Sequence, residues 1–204
     1  MSLYKLALLA ACGFSVLYLL VAWNRYLTLR GRVRRAFFAI EAQLQRRYEL
    51  IPQLVQHIGE LLARLPDQPD GLHDTQQRVL HCRDQAMAAA ESVSSRPADG
   101  ASMRRLVIAE TALGSEFGLL LGISEREGLT VDHPLLESLA DSLVDAEHNI
   151  ACQRADFDAE VDHFNRFFDL LPNRLLRRLL RMPRAAHFAI ELRGARAPVH
   201  IFYT

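Results

Sequence analysis

The chain has 204 residues, half of them hydrophobic, with 24 basic and 24 acidic side chains. That length holds one domain with a real core plus an appendage, and the apolar content excludes a disordered tail. The balanced charge supplies no global field for nucleic acid or an acidic partner, so any electrostatic role depends on where the charges sit.

The first element is the uncharged run LALLAACGFSVLYLLVAW, Leu6 to Trp23. At 1.5 Å per residue it spans about 27 Å, close to the ~30 Å hydrocarbon core, and predicts a transmembrane helix. It is longer than the apolar core of a cleaved secretory signal, and the basic stretch NRYLTLRGR follows it. LAAC, Leu9 to Cys12, has the small-residues-then-cysteine form of a lipoprotein signal, so acylation at Cys12 is the alternative anchor, although the apolar run continues well past that cysteine. Lys5 is the only side-chain cation before the span, whereas Arg25, Arg30, Arg32, Arg34 and Arg35 follow it. The positive-inside rule then predicts a single pass through the inner membrane, with the N-terminus outside and the rest cytoplasmic. Cys12, Cys82 and Cys152 show no zinc or disulfide spacing and read as reduced, packed thiols.

Four segments with a helical apolar period follow, at about residues 24 to 65, 73 to 94, 101 to 124 and 135 to 171. Glycine and proline clusters separate them: PDQPDG at Pro66 to Gly71, SRPADG at Ser95 to Gly100, and REGLTVDHP at Arg126 to Pro134. In the first segment Phe37, Leu44, Ile51, Ile58 and Leu65 recur every seventh residue, joined by Tyr48, Val55 and Leu62. That register runs through Pro52 without a phase shift, which predicts a helix that continues past the proline despite a missing hydrogen bond, at about 3 kcal/mol that packing must offset. The second segment offers alanines, in AMAAAES, for close helix approach; the third supplies Leu106, Leu113 and Leu120 with Val107, Phe117 and Leu121. In the fourth, Leu136, Leu143, Ile150, Phe157, Phe164 and Leu171 keep the same seven-residue step, with Leu139, Ala146, Val161 and Phe168 between them. Repeats held that long predict nearly parallel or antiparallel helix packing. The expected fold is all-α: a transmembrane helix, then an antiparallel up-down-up-down four-helix bundle whose first and last helices are long. The first helix would leave the bilayer as a stalk of about 60 Å.

Helix parity returns the chain to the bilayer after Leu171, where NRLLRRLLRMPR follows. In helical register Leu175, Leu176, Leu179 and Leu180 share a face opposite Arg174, Arg177, Arg178 and Arg181. A basic amphipathic segment of this kind suits an anionic interface, beside the arginines at 25 to 35, and reads equally as a bundle end with solvated arginines. The expected organisation is an anchor at residues 1–23, a bundle at 24–172 and a basic amphipathic segment with a tail at 173–204. Only the last residues, VHIFYT, alternate like a strand, and no role for them follows from the sequence.

Signals for catalysis are sparse. A carboxylate-bridged di-iron site needs two Glu-x-x-His motifs and two further glutamates converging from four helices. Here Glu160–His163 and Asp145–His148 lie on one helix, about 20 Å or more apart, too far to share a metal pair. There is no glycine-rich phosphate loop, GxSxG elbow or recognisable Cys–His pair. No catalytic, cofactor-binding or metal-binding residue is assigned, and no cofactor is expected. The polar interruption DAEHNIACQR brings Glu147, Asn149 and Arg154 close to the apolar stripe, where a charge can pair with Arg46 or Arg47 near Pro52 or simply face water.

The residues around Pro52 carry a resemblance. LRGRVRRAFFAIEAQLQRRYELIPQLV, Leu29 to Val55, resembles the first-helix signature of the LemA family, with Arg46, Arg47, Leu50, Ile51, Pro52, Leu54 and Val55 at its RRxxLIPxLV positions. EHNIACQRADFDAEVDHFNRFFDLLP, Glu147 to Pro172, resembles the family's last-helix pattern, although Phe157 and Asp158 stand where members often carry Tyr-Asn. The resemblance covers about residues 23 to 191. It implies an antiparallel bundle, commonly behind an N-terminal anchor and in some members a lipoprotein-like start. It implies no enzymatic activity. One relative takes part in magnetosome membrane formation, and other roles lie at the cell envelope. The resulting expectation is a non-enzymatic scaffold or interaction module that organises membrane or binds an unidentified protein. Its partners would be anionic lipid, through the Arg25–Arg35 and Arg174–Arg184 clusters, and further copies of itself in a homo-oligomer, without nucleic acid. The alternative from another class is a bundle enzyme or metal sensor using the histidines and carboxylates of the fourth helix.

Overall fold

The computed structural model describes residues 3–66, 69–127, 134–169, 173–179 and 184–188. Among these every regular element is helical: α1 (Leu3–Leu62), α2 (Leu72–Ser95), α3 (Gly100–Arg126), α4 (Pro134–Asp169) and the short α5 (Asn173–Leu179). α2, α3 and α4 match the segments expected from the periodicity to within about two residues at each described end, and α1 joins the expected transmembrane run and the first segment in one helix that ends at Leu62. The stretch VHIFYT and residues Leu171, Leu180 and Arg181 lie outside the described residues, as do the side chains of Leu175, Leu176 and Leu179.

α1 is one helix of 60 residues, about 90 Å long, that passes through Pro52 without a break. The apolar stripe explains why. Phe37, Ile40, Leu44, Tyr48, Ile51, Val55, Ile58 and Leu62 are all buried against the other helices, so packing holds both sides of the proline in one register. α1 packs chiefly along α4, and α2 along α3, with α2 also against α1. Contact partners on α4 fall in number as those on α1 rise: the Tyr26 ring lies 6.0 Å from that of Phe164 and 6.0 Å from that of Phe168, and Phe37 lies 6.0 Å from Phe157. The same order links α2 to α3, where Arg78 bonds Glu116 at 2.9 Å and Ser92 meets Ser102 at 3.4 Å. Helix packing of this kind is that of a bundle.

Among the described residues, α1 and α3 are the two helices long and apolar enough, by length and composition, to cross a membrane. They differ in what covers them. α3 buries Met103, Leu106, Leu113, Phe117, Leu120 and Leu121 in the core, while in α1 Leu8 and Phe14 are 72% and 74% exposed. The cysteines correct one expectation: all three are free, but Cys12 and Cys152 are exposed and only Cys82 is half-buried. Cys12 lies on the uncovered run and Cys152 one step off the α4 stripe, so neither position turns inward.

Two local features carry measurable consequences. Asp99 caps α3, accepting from the backbone N–H of Ala101 and of Ser102, each at 3.2 Å, and from the Ser102 hydroxyl at 2.8 Å. The Ser102 hydroxyl foremost, then the Ala101 amide, holds the Asp99 carboxyl below its usual value. Asp99→Ala should destabilise the bundle by about 1 kcal/mol at neutral pH, read as a lower thermal midpoint. Because the folded-state pKa is lowered, this advantage is present above the unfolded value of about 4 and disappears as pH falls through the folded one, so wild type and variant should converge in acid. On the outer side of α3, Gly114, Gly118 and Gly122 have nothing within 4 Å of where a Cβ would stand. Replacing each with alanine removes the backbone-entropy penalty without a clash, and should stabilise by about 0.4–1 kcal/mol per site; an unchanged or lower midpoint for the triple variant would contradict this.

Candidate functional site

The polar core of the bundle forms where one turn of α1 meets α3 and α4. In the pair Arg46–Arg47 the helical period divides the two side chains: Arg46 is exposed and Arg47 is 8% exposed, in the stripe between Leu44 and Ile51. Arg47 Nη1 donates to Glu147 Oε1 at 2.9 Å, and Nη2 donates to Glu110 Oε2. The Tyr48 hydroxyl donates to the other Glu110 oxygen, and the Arg47 guanidinium carbon lies 5.6 Å from the Tyr48 ring centroid. Arg47 thus joins α1 to α3 and α4 at once. Glu147 keeps about a third of its side chain exposed, whereas Glu110 is buried. One cation therefore faces two carboxylates, one of them cut off from water. Arg47 Nε is buried without a partner among the described atoms, so the cluster is not fully satisfied.

Burial foremost pushes the Tyr48 phenol up to about 12, with Glu147 raising it further and Arg47 pulling it down. The sign follows: a raised folded-state pKa gives stability that is fully present below pH 10, the unfolded value, and is lost as pH climbs toward 12. Alkaline denaturation should therefore begin near pH 10 and be blunted in Tyr48→Phe, with phenolate absorbance reporting the ionisation.

Beside the cluster, α1 and α2 part into an open cleft of about 580 Å³ lined by Tyr48, Glu49, Pro52, Gln53, Arg83 and Met87. Pro52 has no N–H to give the Tyr48 carbonyl, four residues back. Around it side chains serve neighbouring carbonyls instead: Gln53 Nε2 donates to Glu49 O at 3.1 Å, and Gln76 Nε2, from α2, donates to Val55 O at 3.0 Å. Gly59 makes the second bond possible, since a Cβ there would collide with the Gln76 amide. These contacts hold α2 on α1 immediately past the proline.

At the far end of α4 a strap closes the bundle. Residues 184–188 run extended along α4, and each polar contact goes to one stripe of that helix. Arg184 pairs with Asp169 at 2.8 Å and His187 with Asp162 at 2.9 Å. Asn165 clips Ala185 twice, donating to its carbonyl at 3.0 Å and accepting from its N–H at 3.2 Å, and Asp158 accepts the Phe188 N–H at 2.9 Å. Phe188 is fully buried. The strap also covers the start of α3, where a Cβ on Gly100 would stand 3.2 Å from the Arg184 carbonyl oxygen.

Of the residues singled out in the sequence, Glu147 meets Arg47, Asn149 is half-buried and Arg154 faces Asp158 at 3.8 Å. Glu160 borders an open cleft with Arg32, Arg35 and Asp156, while His163, Asp145 and His148 are exposed. Among the described residues no three His, Cys, Asp or Glu side chains gather where a metal could sit. Glu110, Tyr48 as a hydroxyl donor, and the strap were not found by sequence reasoning. The chemistry available to Arg47, Tyr48, Glu110 and Glu147 is ionic locking of three helices in one register.

Two comparisons bear on this arrangement. No curated protein matches the chain. The family model of the LemA family matches residues 36–202, a span that contains Arg47, Glu110, Glu147 and the strap.

Proposed function

The chain belongs to the LemA family, and from that membership we propose that it is a non-enzymatic, membrane-anchored helical bundle acting as a scaffold or interaction module at the cell envelope. The observation that carries this reading is the contrast along α1. Its stripe from Val33 to Leu62 is covered by other helices, whereas Leu6, Leu8, Leu9, Phe14, Leu17 and Leu20 are each more than half exposed. An uncharged helical face with nothing packed on it has a natural solvent in lipid. In this reading the anchor crosses the inner membrane once, N-terminus outside, with Arg25 to Arg35 on the cytoplasmic side. The bundle is antiparallel and up-down-up-down, which the falling order of contact partners supports. The exposed arginines Arg25, Arg30, Arg34, Arg35, Arg174 and Arg178 then approach anionic headgroups, and the long helix faces meet a protein partner or a second copy.

The test has two arms. Full-length protein should resist carbonate extraction from native membranes, and a C-terminal reporter active only in the cytoplasm should be active; release by carbonate, or activity only of an exported reporter, rejects the anchor or its orientation. Photo-crosslinking from the bundle surface in those membranes should then trap one recurrent partner, and a ladder of unrelated products would reject the scaffold role.

A further inference from the structure

The charge pattern sets the inner edge of the span between Trp23 and Arg25, but α5 begins beside Tyr18, five residues further into the uncharged run. Its first residue, Asn173, is 8% exposed; Asn173 Oδ1 accepts the Tyr18 hydroxyl at 2.5 Å, and Nδ2 donates to the Phe167 carbonyl at 3.0 Å. Ala22, one turn beyond Tyr18, is 7% exposed, while its neighbours Val21 and Trp23 are 61% and 51% exposed. One side of the uncharged run is thus already covered by protein from Tyr18 onward. The helix that starts there carries Arg174 and Arg178, both exposed, and Arg177, whose guanidinium lies 6.0 Å from the Phe168 ring. Exposed arginines do not reside in hydrocarbon; they seek phosphate and water.

We propose that the headgroup boundary on the bundle side lies at Tyr18, with α5 as a basic collar in the headgroup layer and the bundle seated on the lipid surface rather than held off it on a stalk. The stretch left to cross hydrocarbon runs from Lys5 to Tyr18, about 20 Å, roughly 10 Å short of a typical core. A span that short is accommodated by thinning the surrounding bilayer or by settling where the bilayer is thin. The surface this end of the molecule fits is therefore an anionic, thinned membrane, and Asn173 is the joint that sets the depth. This inference rests on the anchored reading above.

The experiment uses the full-length protein in anionic vesicles containing lipids brominated either near the glycerol end or at the middle of the acyl chain. Trp23 is the single tryptophan, and it should be quenched readily by aqueous iodide and little by either bromolipid. Moving the probe to Leu19, 46% exposed and free to accept it, in a Leu19→Trp, Trp23→Phe variant, should give strongest quenching from bromines near the glycerol end. Strongest quenching of that probe by mid-chain bromines would place Leu19 inside the hydrocarbon and overturn the proposal while leaving the anchor intact. Washing of the protein from the vesicles by carbonate would instead reject the anchored reading on which it rests.

Discussion

Arg47→Met should lower the unfolding free energy of the detergent-solubilised chain by about 3–5 kcal/mol in urea, among the largest effects of any single replacement. The change leaves Glu110 as a buried anion with only the Tyr48 hydroxyl as partner, and the surrounding helices offer it no path to water. The size of the effect reflects that abandoned charge more than the strength of the pair. Arg47→Met combined with Glu110→Leu should therefore regain most of the loss, because two apolar side chains of similar volume pack where two ions had to be desolvated. Glu147→Gln, by contrast, should change stability by about 1 kcal/mol or less, since that carboxylate is a third exposed and water takes over its solvation. A single Arg47→Met variant as stable as wild type would mean that Glu110 reaches solvent and that the cluster does not lock the three helices.

This cluster also shows how far residue patterns alone can be read. The continuity of α1 through Pro52 was legible because a seven-residue stripe registers packing on both sides of a backbone defect, and packing outweighs one lost hydrogen bond. The polar break in the α4 stripe was legible, with two readings, a charge pairing with Arg46 or Arg47 or one facing water, and the assembled helices select Glu147 with Arg47. The third member of the cluster was not legible. Glu110 follows Leu106 by four residues and precedes Leu113 by three, squarely on the core face of α3, yet a single acidic residue on such a face has no visible partner until the helices are assembled. The helical period likewise separates Arg46 from Arg47, which adjacent letters do not announce. The strap was hidden for a different reason. Asp158, Asp162, Asn165 and Asp169 form a polar stripe at helical spacing, indistinguishable in sequence from a solvated face. What that stripe does is bind an extended segment whose residues carry no periodic signal of their own. Asp158 in particular stands where the LemA resemblance expects another residue, and here it accepts the Phe188 N–H.

Phe188→Ala tests whether the strap is part of the core or a detachable cover, and we expect it to destabilise the protein by about 3 kcal/mol. The ring is fully buried in the same cluster as Phe37, Phe157 and Phe164, so its removal leaves a cavity in the core. The backbone at Ala185 and Phe188 is held by polar side chains of α4, not by a ladder of its own. Asn165→Leu removes the two bonds to Ala185 while keeping the volume, and should cost about 1–2 kcal/mol by leaving a half-buried N–H and carbonyl unpaired. If the ring seats the strap and the asparagine aligns it, both variants should speed hydrogen exchange at Ala185 and at position 188, and Phe188→Ala should lower the global midpoint about twice as far as Asn165→Leu. A Phe188→Ala protein with an unchanged midpoint but exposed strap amides would show that the bundle closes without it. The strap would then be a cover that α4 can release, and the core would have to be redrawn to exclude Phe188.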